Sequence, residues 1–275
     1  MRRINATAVA IIFLVGVVSQ LALGGDFVPR AIEPKPDAFA DGLGHVQGIC
    51  CDEDAIYAIL ANRIYKFDWE GKVVKSEPVV FHAGDPCVAN GKLYVSMSSE
   101  DQNGVYEYDL ELNLLRKIKL EGASGTDGIA FLDGKFYVGG PSDAKAHLDN
   151  LICVYDSDFK LVEQKLVNYD TPTNYGTQSI AAWNGKLFLA FYIDDATKGS
   201  SPSVCCDAEL NVLGKTFLDG STGWCLAPES KQSNDPEKPR FLVCRWSQAD
   251  GKRLAKFVWF DFDPKTMKFE DATVK

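Results

Sequence analysis

One short pattern recurs five times along this 275-residue chain, and a chain built from copies of one motif is confined to architectures in which each copy packs on its neighbours. The copies open at His45-Val46-Gln47-Gly48-Ile49-Cys50, His82-Ala83-Gly84-Asp85-Pro86-Cys87, Gly125-Thr126-Asp127-Gly128-Ile129-Ala130, Gly176-Thr177-Gln178-Ser179-Ile180-Ala181 and Gly220-Ser221-Thr222-Gly223-Trp224-Cys225. Their closing residues, Cys50, Cys87, Ala130, Ala181 and Cys225, stand 37, 43, 51 and 44 residues apart. Each opening leads into a short apolar run and then, in three copies, into a tight turn: Asn90-Gly91, Asp133-Gly134 and Asn184-Gly185. Such pairs accept positive φ at both central positions, which a two-residue hairpin demands. A second strand follows each turn, as in Lys92-Leu93-Tyr94-Val95, Lys135-Phe136-Tyr137-Val138 and Lys186-Leu187-Phe188-Leu189. A third ends at Asp68, Asp109, Asp156, Asp207 or Asp263, and a fourth, such as residues 114–120 or 161–167, completes the unit. An aspartate leaving a strand can accept a hydrogen bond from the backbone two residues on and so start a turn, which makes these five carboxylates scaffold.

A four-stranded antiparallel unit repeated without helical periodicity predicts an all-β fold, a five-bladed β-propeller in which radial repetition leaves only short, protected edges. The chain is 46% hydrophobic and 11% aromatic, enough for a large core. In the last copy a polar, proline-bounded insertion at residues 231–239 replaces the tight turn. The propeller domain is placed at residues 44–275, preceded by a polar segment, 25–43, that either adds a closing strand to the last blade or serves as a tether.

Ahead of both, Met1-Arg2-Arg3 puts positive charge before an uncharged stretch, residues 4–25, whose centre holds Ile11, Ile12, Phe13, Leu14 and Val15. Small residues at Ala22 and Gly24 suit signal peptidase, so residues 1–24 read as a signal peptide and the protein as extracytoplasmic, secreted or periplasmic. The alternative is an uncleaved anchor through residues 4–25, the only route by which the protein would meet a membrane. A net charge of −9 lacks the basic footprint that phosphate backbones require, which argues against nucleic acid as a partner. A monomer is expected.

Eight cysteines in an exported chain raise the question of disulfides. Cys50, Cys87 and Cys225 share a repeat position with Ala130 and Ala181, so that position selects small side chains on the innermost strand. Packed sheets lie about 10 Å apart, beyond the reach of a bridge, and Cys50 to Cys87 is disfavoured. Cys50-Cys51 and Cys205-Cys206 point their side chains to opposite sheet faces. Mostly buried free thiols are expected, with one or two bridges, or zinc held by cysteines, as alternatives.

In a propeller the segments entering the innermost strands and the loops between second and third strands open onto one face, around the mouth of the axial channel. Here they would bring together His45, Gln47, His82, Asp85, Asp127, His147, Gln178, Thr222 and Trp224. Imidazoles with Asp85 or Asp127 suit either of two chemistries: holding a divalent metal ion that activates water, or hydrogen-bonding a small or peptide-like ligand. The plain alternative is a set of polar residues that close the pore through waters. No GxSxG nucleophile elbow or glycine-rich phosphate loop is present.

The openings resemble those of the plant- and bacterial-type glutamine cyclotransferases, exported five-bladed propellers that convert N-terminal glutamine to pyroglutamate. Val46-Gln47-Gly48-Ile49 resembles the family's Thr-Gln-Gly-Leu, Thr126-Asp127-Gly128-Ile129 its Gly-Glu-Gly-Leu, and Gly223-Trp224 part of its Gly-Trp-Gly-Leu. Asp127 stands where the family carries Glu, and Ala58 follows Tyr57 where the family has an acidic residue. The leading expectation is an exported propeller that binds a small or peptide-like ligand at the channel mouth. A cyclotransferase or metal-assisted hydrolase with Asp127 as its acid/base is the enzymatic alternative, and a module that binds proteins through its outer blade edges is the third.

Overall fold

The computed structural model describes residues 27–34, 46–60, 62–79, 83–98, 103–140, 147–192, 200–219, 223–249 and 252–274. The fold is all-β, a five-bladed propeller of four-stranded antiparallel blades. Blade 1 contains β1 (Val46–Cys51), β2 (Ile56–Leu60), β3 (Arg63–Phe67) and β4 (Val73–Pro78). Blade 2 contains β5 (Ala83–Ala89), β6 (Lys92–Met97), β7 (Gly104–Asp109) and β8 (Leu114–Lys119). Blade 3 begins with β9 (Gly128–Leu132), β10 (Lys135–Gly139) and β11 (His147–Tyr155).

The next strand departs from the sequence expectation of a short one at residues 161–167. β12 runs unbroken from Leu161 to Trp183, pairing first with β11 as the outer strand of blade 3 and then with β13 (Lys186–Tyr192) as the inner strand of blade 4. No two-residue turn interrupts it; instead the register shifts between Asn174 and Ser179, where Gly176 takes a φ of 66°, and the strand bends from one blade to the next. β14 (Ser200–Asp207) and β15 (Val212–Asp219) complete blade 4. Blade 5 is β16 (Trp224–Leu226), β17 (Arg240–Ala249), β18 (Lys252–Asp263) and β19 (Lys268–Asp271). A 3-10 turn, Glu229–Lys231, leads into the insertion in its first hairpin.

The turns follow the chemistry of their residues. Asn90, Asp133 and Asn184 adopt φ values of 51°, 50° and 46°, with Gly91, Gly134 and Gly185 also positive, as the hairpin signal requires. The repeated aspartates cap the turn that follows each third strand. Asp109 Oδ1 accepts the backbone N–H groups of Glu111 and Asn113, and Asp156 and Asp207 accept those of Lys160 and Asn211. Leu112, Phe159, Leu210 and Met267 then sit at positive φ. These are costly conformations for such side chains, and three of the four are held by burial: Leu112, Phe159 and Leu210 lie in the inter-blade cores.

Packing between blades supplies the core. Phe188, Trp224, Phe241, Phe262 and Phe269 form one aromatic cluster between blades 4 and 5, with centroid spacings such as 4.9 Å for Phe188–Phe262 and 5.6 Å for Trp224–Phe269. Each described blade is a consecutive piece of chain, so no shared strand fastens the last to the first. The N-terminal segment helps to close that joint. Ile32 pairs with Phe257 of β18, the Trp259 indole donates to the Arg30 carbonyl at 2.8 Å, and Trp69 of blade 1 stacks on Trp259. The segment is therefore a strap across the boundary between blades 5 and 1.

Candidate functional site

Going down the channel from the face where the innermost strands begin, the repeat openings stack as layers. In the upper layer, Gln178 of blade 4 donates through Nε2 to Asp127 Oδ2 of blade 3 at 2.8 Å. Gln47 of blade 1 is half-buried at the same repeat position, Asp127 is half-buried, and Gln178 is 9% exposed. Gly84 fills the position in blade 2, and it must be glycine: a Cβ there would lie 2.6 Å from the Asp127 carbonyl oxygen and 2.6 Å from Ser96 Oγ. The space it leaves lets Asp85 donate its backbone N–H to the Asp127 carbonyl at 2.6 Å, while the Ser96 hydroxyl bridges the carbonyls of Asp85 and Asp127. The backbone under Asp127 is thus fixed from the neighbouring blade, and its half-buried carboxylate stands on a rigid base.

In the next layer the repeat positions hold Gly48, Asp85, Gly128, Ser179 and Gly223, four small residues around one carboxylate. Asp85 is 1% exposed. Its Oδ2 accepts the Ile180 N–H at 3.0 Å, the Ile129 N–H also donates to it, and Ser179 Oγ lies 3.4 Å from Oδ1. A Cβ on Gly48 would come within 2.4 Å of Asp85 Oδ1. One aspartate therefore ties blades 2, 3 and 4 across the axis and plugs the channel. Burial pushes its carboxyl well above the ordinary range; the backbone donors of Ile180 and Ile129 and the Ser179 hydroxyl pull it back, and the nearby Asp127 charge adds to the rise.

Below the plug the channel opens into a cavity of about 420 Å³ lined by all five blades. Its wall holds Cys50, Cys51, Cys87 and Cys225, with Ala130 and Ala181 completing the small-residue ring. Burial is the main cause raising the Cys50, Cys87 and Cys225 thiols well above their ordinary values, so all three are protonated at neutral pH. The rim carboxylate Asp52 is occupied as a turn cap, accepting Asp54 N–H, Ala55 N–H and the Tyr57 hydroxyl at 2.8, 2.8 and 3.0 Å. Among the described residues no group of three or more His, Cys, Asp or Glu side chains is arranged to hold a metal ion.

Of the residues singled out from sequence, Gln47, Asp127 and Gln178 share the upper layer, with Asp127 and Gln178 in direct contact. Asp85 lies one layer deeper, sealed from the mouth by its own packing. Trp224 is 1% exposed within the aromatic core between blades 4 and 5, with ring neighbours Phe188 and Phe241 at 6.3 and 5.6 Å, and does not line the mouth. His45, His82 and Thr222 lie outside the described residues, as do the side chain of His147 and the whole of the signal segment. All eight cysteines are free thiols, seven buried and Cys51 half-buried. The lower cavity was not anticipated, although five small residues in register, Cys50, Cys87, Ala130, Ala181 and Cys225, carry its signal: side chains of that size cannot fill the centre of a five-membered ring.

No family model and no curated protein sequence matches the chain. Among solved structures, it is similar to the glutaminyl cyclase of Myxococcus xanthus at 15% identity, with 86% of this chain and 97% of that one covered and a TM-score of 0.57. It is also similar to CoXyl43, a GH43 β-xylosidase/α-arabinofuranosidase from a compost microbial metagenome, at 11% identity, covering 90% and 100% of the two chains with a TM-score of 0.58. Likeness to two proteins of different activity at such identities establishes architecture and leaves chemistry to the residues themselves. By repeat, by layer and by comparison, the chain is a five-bladed β-propeller.

Proposed function

We propose that this protein is an exported propeller that binds a small or peptide-like ligand bearing an amine or amide at the upper mouth of its channel. The observation that carries the reading is the Asp127–Gln178 pair, a carboxylate and a carboxamide from neighbouring blades, 2.8 Å apart and set on a braced backbone. Asp127 offers acceptor capacity to a cationic or amide N–H group, and the Gln178 carbonyl oxygen and the Gln47 amide extend the polar surface beside it. The repeat register puts His45 and His82 on the same face, and the N-terminal sequence supports export.

The fold likeness to a glutaminyl cyclase makes a peptide with N-terminal glutamine the first probe. Calorimetric titration of such a peptide is expected to show saturable binding that weakens at least tenfold in Asp127→Asn. Ammonia release in the same samples separates turnover from binding, because cyclisation of glutamine expels ammonia. Unaltered affinity in Asp127→Asn and Gln178→Ala would remove the mouth from consideration. Attention would then pass to the outer strands, where Leu166 of β12 and Phe217 of β15 are exposed.

A further inference from the structure

We propose that Cys51 and Cys225 form a disulfide that closes the propeller ring between its first and last blades. Cys51 ends β1 in blade 1 and Cys225 is the middle residue of β16 in blade 5; their Sγ atoms lie 3.5 Å apart. Bridging them requires side-chain rotation that brings the sulfurs from 3.5 Å to the bonding distance of about 2.0 Å. The expectation that neighbouring blades are too far apart for a bridge rests on identical repeat positions, such as Cys50 and Cys87. Cys51 is one residue further along its strand than Cys225 is along its own, and that offset turns its side chain across the joint. There it also approaches the Leu226 carbonyl at 3.2 Å.

The joint is where a covalent link has most to hold. Blade 5 is made wholly of residues from the end of the chain and blade 1 of residues from its beginning, so the strap at residues 27–34 and side-chain packing hold the ring shut. The link would span 174 residues of sequence, a large loop to constrain in the unfolded chain. An oxidant can reach it: Cys51 is the one half-buried thiol of the eight and lines the open lower cavity beside Cys225.

The chemistry balances with a small disulfide such as oxidised glutathione. The Cys51 thiol gives up its proton, its thiolate attacks one glutathione sulfur, and the first glutathione leaves as a thiolate that takes up a proton. Cys225, deprotonated in turn, attacks Cys51 Sγ in the mixed disulfide and expels the second glutathione. Two protein thiols are oxidised and one oxidised glutathione is reduced to two thiols. Burial raises the Cys225 thiol, so the second step is slow at neutral pH and quickens as pH rises.

The test is to incubate the reduced full-length protein with oxidised glutathione, unfold it under thiol-blocking conditions, count free thiols and map cross-linked peptides by mass spectrometry. The expected result is loss of two of the eight thiols, one peptide pair joining Cys51 to Cys225, and a melting temperature raised by about 5 °C or more. Cys51→Ser, at a half-buried site, is expected to fold, to keep its remaining thiols and to show no rise. Cys225→Ala provides the reciprocal control. Eight thiols still titrating, a stable glutathione adduct on Cys51 alone, or a bridge mapped to any other pair would overturn the proposal.

Discussion

The two ends of the channel use equivalent repeat positions to opposite effect. Toward the upper face, small residues surround large polar ones: Gly48 makes room for the Asp85 carboxylate and Gly84 for the backbone of Asp127, and the centre is filled and hydrogen-bonded. Toward the lower face every position is small, Cys or Ala, and the centre is left as a cavity. A repeat that places similar backbones around an axis thus makes either a rigid polar hub or an open thiol-lined hollow, according to whether one blade contributes a long side chain. The difference implies that the upper end bears cross-blade stability and presents chemistry, whereas the lower end tolerates change.

The sharpest break of this contrast is Asp85→Ala. It strands the N–H groups of Ile129 and Ile180 and the Ser179 hydroxyl inside the channel, and chemical denaturation is expected to register a loss of about 3–5 kcal/mol. Gly48→Ala, which drives a methyl group into Asp85, is expected to cost about 2–3 kcal/mol by the same measurement. At the lower end Cys87→Ala trims one sulfur beside an existing cavity and is expected to cost about 1 kcal/mol; a loss as large as that of Asp85→Ala would erase the contrast.

Titration sharpens it further. Asp85 has a raised pKa in the folded state, so the folded protein retains a proton that the unfolded chain releases once pH passes the ordinary carboxylate range. Its contribution to stability is present below that range and is lost as pH climbs through the folded value. Urea midpoints measured across this interval are expected to fall with rising pH in the wild type more steeply than in Asp85→Asn, and equal slopes would mean that the backbone donors hold the carboxylate ionised. The smallest effect on stability is expected for Asp127→Asn, within about 1 kcal/mol, because its backbone carbonyl keeps the contacts with blade 2 and an asparagine side-chain oxygen in the same half-buried place can still accept from Gln178.

Much of the scaffold was legible in the sequence because local chemistry dictates it. Asn90-Gly91 and its two counterparts declare positive φ, and the five strand-ending aspartates declare capped turns, without reference to anything distant. The crossing of β12 from blade 3 to blade 4 was not legible, since residues between 168 and 175 carry no turn pair and the bend resides in a register shift. At the site, alignment of the repeats put Asp127 and Gln178 in one layer correctly. It did not reveal that Asp85, one residue on, turns inward to Ser179 and Ile180 of blade 4, because that depends on the absence of a side chain at Gly48 in another blade. The Cys51–Cys225 approach was hidden for a related reason: repeat alignment compares equivalent positions, and this pair is offset by one.

The most direct test of the account is a crystal structure of the protein soaked with a short peptide carrying N-terminal glutamine. The account predicts density for the peptide amine or amide within hydrogen-bonding distance of the Asp127 carboxylate and beside Gln178. Density in the lower cavity against Cys50, Cys87 and Cys225, or an upper mouth that stays empty at saturating peptide, would contradict it.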